Sequence, residues 1–117
     1  MTPPAGTGDT VRLRRAYDPA GVGDGYRVLV DRLWPRGVRR EALHLDEWCT
    51  NIAPSAELRA WFGHDAAKWT EFQTRYRREL DGNPDVARLA GIAAHATLTL
   101  VYGAHDTEHN QAVVIRD

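Results

Sequence analysis

Tyr26-Arg27-Val28-Leu29-Val30-Asp31-Arg32-Leu33 is the stretch on which the fold turns. Its centre, Val28-Leu29-Val30, is an unbroken apolar run rather than an alternating one. A short run of this kind, rich in β-branched residues, reads as a strand covered on both faces, as in a parallel sheet. Trp34-Pro35-Arg36-Gly37 then stops it, because Pro35 cannot donate to a ladder and Gly37 permits a tight turn.

Working outward, Thr10 to Tyr17 alternates at Val11 and Leu13 and predicts a short strand. Asp18 to Gly25 is dense in turn formers and reads as an exposed loop. On the other side come three helical stretches. Ser55 after Pro54, with Glu57 in the first turn, marks the first, which buries Leu58, Trp61 and Phe62 and ends at Gly63. Asp65 can cap the second, whose stripe is Trp69, Phe72, Tyr76 and Leu80; Pro84 opens the third, through Val86, Leu89, Ile92 and Ala93. Thr97 to Tyr102 is the strongest strand signal in the chain, and Asp106 or Thr107 can cap a last helix through Ile115. Strand, helices, strand and helix in that order predict an α/β fold: one compact domain with a small, mostly parallel sheet flanked by helices. Residues 1–9 read as a flexible tail and 10–117 as the domain.

The 117 residues suffice for one core, since a chain of this length buries roughly two-thirds of its unfolded surface on folding. The net charge of −1 excludes a polybasic or strongly acidic protein. It conceals a split: residues 1–40 carry a net +4, and residues 41–117 a net −5. The basic residues are 14 Arg and a single Lys, Lys68, a composition suited to bidentate recognition of carboxylates or phosphates. The single Cys, Cys49, permits no internal disulfide, so a reducing cytoplasm is the expected compartment. No apolar run approaches the ~18 residues of a membrane span, so no membrane partner is expected.

Two loops carry the chemistry, and both follow an apolar strand. In open α/β sheets ligands bind beyond the carboxyl ends of the strands. Asp31 to Gly37 and Gly103 to Asn110 would therefore converge on one crevice. Arg32 and Arg36 would hold an anion, Gly37 would let backbone approach it, and Trp34 would wall the pocket or stack a guanidinium. Asp31, Asp106 and His109 are the candidate acid–base groups, with Asn110 beside them, since His109 and Asn110 follow Asp106 by three and four residues. The bland alternatives are a turn cap at Asp31, a helix cap at Asp106 and a solvated Arg36.

Other motifs are missing. The segment His105-Asp-Thr-Glu-His109 is not His-Glu-x-x-His, and two His without a third ligand make a weak metal signal, so no metal is expected. A phosphatase-type Cys loop needs Arg where Ser55 stands, which leaves Cys49 as a packed residue. Neither a P-loop nor a G-x-G-x-x-G fingerprint occurs, and no cofactor is expected.

Leu29-Val-Asp-Arg-Leu-Trp-Pro-Arg-Gly37, Leu45-Asp-Glu-Trp48, Ala53-Pro-Ser55, Leu58 to His64 and Asp106-Thr-Glu-His-Asn110 together resemble the domain-of-unknown-function 488 family, in its short branch. The resemblance runs from about Tyr26 to Ile115 and is most specific in VDRLWPRG combined with DTEHN. It implies a compact α/β domain and carries no established reaction. His105 stands where the family pattern has Lys, and Cys49 is not part of that pattern. Some members bear the label uroporphyrin-III C-methyltransferase; this chain is too short for that two-domain architecture and lacks a Gly-rich loop for S-adenosylmethionine. The expected function is binding of an anionic small molecule, such as a nucleotide or phosphorylated metabolite, with catalysis on it left open. The rival is a nucleic-acid-binding module that uses Arg12, Arg14, Arg15, Arg27, Arg39 and Arg40. The oligomeric state is not fixed by any of these patterns.

Overall fold

Four strands, β1 (Val11–Arg15), β2 (Tyr26–Leu29), β3 (Glu47–Trp48) and β4 (Leu98–Tyr102), form one sheet in the order β1-β4-β2-β3. The computed structural model describes residues 11–117, so the tail expected over residues 1–9 lies outside the described residues. Every pairing is parallel. The two strands anticipated from their apolar runs are neighbours, in register from Tyr26 opposite Leu98 to Leu29 opposite Val101. Val28, Leu29 and Val30 are all fully buried, as an unbroken apolar run requires when both faces of a sheet are covered. β2 is shorter than the stretch to Leu33 suggested: Val30 still donates to the Val101 carbonyl, and the chain then turns off the sheet at Asp31.

The described residues form five helices, α1 (Arg40–Leu43), α2 (Ala56–Phe62), α3 (Trp69–Leu80), α4 (Pro84–Ala93) and α5 (Gln111–Arg116), of which α1 has no side-chain cap. Ser55 caps α2 by accepting from the Leu58 N–H, and Gly63 closes it in the left-handed conformation. Asp65 caps a short 3₁₀ turn that leads into α3. Asn83 caps α4, with Pro84 in its first turn. The last helix starts later than expected. Asp106 spends its carboxylate on the N–H groups of Glu108 and His109, which holds an irregular turn, and Asn110 is the residue that caps α5.

The two faces of the sheet are unlike. Val28, Val30, Leu98, Leu100 and Tyr102 pack against α4, α5 and the segment around Ile52, forming the main core. Beside it, Leu58, Phe62, Phe72, Tyr76 and Val114 form a second cluster in which the Phe62 and Phe72 rings stack at 4.3 Å. Trp69 is partly buried against this cluster, as its place on a helical stripe predicts, and so is Trp61. The opposite face divides along the strands. Towards their carboxyl ends, Leu29, Val101, Ala16 and Leu43 make a small apolar layer. Towards their amino ends, Arg12, Arg14, Arg27 and Thr99 surround Asp24. The whole is a compact single α/β domain. No helix among the described residues is long and apolar enough to cross a membrane.

Candidate functional site

The loops after β2 and β4 meet at the carboxyl ends of those strands, and α2 closes the third side. Between them lies a cleft of about 240 Å³. Asp31 stands in it as the chain leaves β2. One carboxylate oxygen accepts from the Gly103 N–H at 2.8 Å, and the other accepts from the Gln111 side-chain amide. Gly103 makes the first contact possible, since a Cβ there would fall 2.8 Å from that oxygen. Burial raises the Asp31 carboxyl above its ordinary value of 3.8. The Gly103 and Gln111 hydrogen bonds and the Arg59 charge pull the other way, and it settles at about 6. A carboxyl so placed is half protonated near pH 6 and can either accept or donate a hydrogen bond.

Arg32 also lines the cleft. Its Nε donates to the Pro54 carbonyl at 3.1 Å and its Nη2 to the Ala53 carbonyl at 3.3 Å, which pins the segment entering α2 and leaves Nη1 for a ligand. Trp34 forms a wall, held by its indole N–H on the Val38 carbonyl at 2.8 Å. His109 reaches the cleft from the second loop. Its Nδ1 lies 2.8 Å from Asp106, and its ring meets Trp69 edge-on at 5.2 Å. With Nδ1 engaged by the carboxylate, Nε2 is the atom available to a ligand. Hydrogen bonds from the Glu108 N–H and from His109 hold the Asp106 carboxyl below its usual range. Asn110, buried, lines the cleft and bonds locally: Nδ2 donates to the Asp106 carbonyl and Oδ1 accepts from the Val113 N–H.

Five of the eight residues singled out from sequence therefore line one cleft: Asp31, Arg32, Trp34, His109 and Asn110. Arg36, Gly37 and Asp106 do not line it. The Arg36 side chain is exposed, and its carbonyl takes the Tyr17 hydroxyl at 3.0 Å. Gly37 adopts φ +78° to complete the turn, with open space around it. Asp106 sits behind His109 as its hydrogen-bond partner. His105 and His109 share no helix face, because α5 begins only at Gln111.

Sequence reasoning missed Arg59, His64 and Gln111. Arg59 and Phe62, one turn apart on α2, both face the cleft, and the Arg59 guanidinium forms no ion pair with any described residue. His64 follows Gly63, and both have positive φ (58° and 53°), which swings the imidazole back over the cleft beside Phe62. A non-glycine residue held left-handed is a signal of local demand, and no sequence pattern announces it. Among the described residues that line the cleft there is no Ser, Thr, Cys or Lys. Cys49 is buried elsewhere, 3.7 Å from Arg88, and burial raises its thiol pKa.

An all-parallel α/β domain with a polar crevice at its strand ends is the class that fold and site define. The chain belongs to the DUF488 family: the family model described as the inactive DUF488-N3 subclade matches residues 10–117. It is similar to the uncharacterized protein YeaO of Escherichia coli K12, 45% identical over 108 residues that cover 92% of this chain and 94% of that protein. It is also similar to the uncharacterized proteins Rv3073c of Mycobacterium tuberculosis and Mb3100c of Mycobacterium bovis, each 36% identical over 105 residues, covering 90% of this chain and 89% of theirs. No solved structure matches the chain.

Proposed function

We propose that the Asp31 cleft binds a small anionic molecule, of the size of a nucleoside monophosphate or a phosphorylated metabolite, and that the protein acts by binding rather than turnover. One observation carries this reading: Arg59 presents a guanidinium that forms no ion pair with any described residue, in the same cleft as a carboxyl that is readily neutralised. Arg32 Nη1 and His64 add donors around that point. The cleft lies below the ~300–1,000 Å³ usual for larger ligands, which favours a compact occupant over a dinucleotide. The absence of Ser, Thr, Cys and Lys among its described lining residues, and the description of the matching subclade as inactive, both support binding without catalysis. Asp31 and the Asp106–His109 pair then serve to orient the ligand.

The nucleic-acid reading draws less support. Arg12, Arg14 and Arg27 face Asp24 within the fold, and Arg15 donates to the Ala104 carbonyl at 2.9 Å. Of the six arginines it would use, Arg39 and Arg40 are the exposed ones whose side chains form neither an ion pair nor a hydrogen bond with any described residue, and Arg40 lies over the Trp34 ring.

Calorimetric titration with adenosine monophosphate and with inorganic phosphate tests the proposal. Arg59→Ala should weaken binding about tenfold or more, as loss of a charged hydrogen bond worth about 1.5–3 kcal/mol implies. Arg36→Ala should leave it unchanged. Equal affinity in wild type and Arg59→Ala, with the fold intact by circular dichroism, would sink the proposal.

A further inference from the structure

Trp34 has a second neighbourhood, away from the Asp31 cleft. Its ring and that of Trp48 lie 5.4 Å apart with their planes at 72°, as two adjoining walls of a separate cavity of about 240 Å³. Arg40, Leu45, Asp46 and Glu47 complete it. Both indole N–H groups are already committed to backbone: Trp34 to the Val38 carbonyl at 2.8 Å and Trp48 to the Asp31 carbonyl at 2.7 Å. The rings are thereby held in place and offer a ligand only their π surface. Trp48 is nonetheless 41% exposed, although it is one of the largest apolar groups in the chain.

The charges around this corner are unevenly engaged. Glu47 is bound through both oxygens by Arg88 and also takes the Tyr26 hydroxyl. Asp46 uses one oxygen on the Arg27 N–H, and its other oxygen has no partner among the described residues. The Arg40 guanidinium lies over the Trp34 ring at 6.0 Å, the outer limit of a cation–π contact, and forms no ion pair with any described residue. A cation is thus already seated at the mouth of the corner, and loosely.

The geometry points to a second ligand site in which Trp34, Trp48 and Asp46 bind a weakly hydrated organic cation, a guanidinium or methylated ammonium group, with Arg40 as its built-in competitor. Near-perpendicular indoles attract such a cation through their ring quadrupoles, and the free Asp46 oxygen supplies the opposite charge. Ordinary ammonium is excluded by its strong hydration. The site shares the Trp34 ring with the Asp31 cleft but takes an occupant of the opposite charge.

The indole N–H signals of the four tryptophans in a ¹⁵N-labelled sample provide the test. Tetramethylammonium chloride and guanidinium chloride are titrated separately at constant ionic strength, with ammonium chloride as the control. The expected result is saturable movement of the Trp34 and Trp48 signals, with Trp61 and Trp69 unmoved and no saturation by ammonium. Whichever cation saturates the signals at lower concentration identifies the headgroup. Arg40→Ala should tighten binding about two- to fivefold, the equivalent of one exposed cation–π contact, and Asp46→Asn should weaken it by a similar factor. Trp48→Ala should abolish the Trp34 response. Non-saturable shifts in Arg40→Ala, or an equal response to ammonium, would overturn the assignment, and neither depends on how Trp48→Ala folds.

Discussion

Asp24 and Asp31 stand at opposite ends of the same strand, one just before β2 and one just after it, and their surroundings could hardly differ more. Asp24 is 1% exposed, contacted by Arg14 at 3.0 Å and Arg12 at 3.6 Å, paired with Arg27, and bonded to the Gly21 N–H at 2.9 Å. Burial alone would raise its pKa. The Gly21 N–H and the guanidinium groups of Arg27 and Arg14 outweigh that and hold it below 3.8. Asp31 has two uncharged donors and only the more distant charge of Arg59, so there burial wins and the pKa rises to about 6. A carboxylate whose charge is fully matched within the fold is a structural device. One left half matched, at the end of a parallel strand, has capacity for a ligand.

The comparison is easiest to break at Asp24. Asp24→Ala removes the partner of a nearly buried Arg27 and frees the loop from Asp18 to Gly25. Urea denaturation should show a loss of about 3–5 kcal/mol. A loss below about 1 kcal/mol would mean that the cluster is solvated and not structural.

At the other end the sign of the pH dependence differs. A carboxyl raised from 3.8 to about 6 binds, in the folded chain, a proton that the unfolded chain has released. Folding is therefore favoured as pH falls through 6, and the difference is lost above it. Stability of the wild type relative to Asp31→Ala should increase by about 1–3 kcal/mol between pH 8 and pH 5. Asp24, with its lowered value, contributes stability that is present above pH 3.8 and fails as pH drops through its folded pKa, so the two limbs separate in one titration. A difference between wild type and Asp31→Ala that is flat with pH would dissolve the contrast. Anion binding should follow the Asp31 limb and strengthen below pH 6, when the carboxyl loses its charge.

The smallest effect concerns how the cleft is held. Asn110→Ala removes the cap of α5 and the bond to the Asp106 carbonyl, and should cost about 1–2 kcal/mol in thermal or urea unfolding. Unchanged stability would show that the loop before α5 is positioned by its neighbours instead.

Much of this fold was legible before any coordinate. β2 and β4 follow from two apolar runs, and the starts of α2 and α4 follow from Ser55 and Pro84, whose preferences are set by the chain within a few residues. β3 and α1 escaped notice because a two-residue strand and a four-residue helix carry no periodicity. β3 exists only where the edge of β2 accepts it. α5 was placed too early because Asp106 and Thr107 are both capping residue types, whereas the turn that Asp106 closes on Glu108 and His109 occupies its carboxylate and leaves the cap to Asn110. The cleft was legible along its two strand-end loops but not along α2, since which side of a helix faces a sheet end is settled by packing. Arg36 and Arg59 illustrate this. They look alike in composition, yet the turn at Gly37 leaves one outside the cleft and the stacking of Phe62 on Phe72 sets the other beside it.

Sequence by itself determined the parallel α/β class, the two strands that bracket the site, most helix starts and a basic first third, because apolar runs and caps act over short spans of chain. Tertiary structure alone decided where those charges go. Asp24 gathers arginines from two strands, and Asp31 meets Gly103 and Gln111 from 72 and 80 residues away. A carboxyl's pKa depends on which donors come within hydrogen-bond reach and how much water is displaced, and only the folded chain sets either.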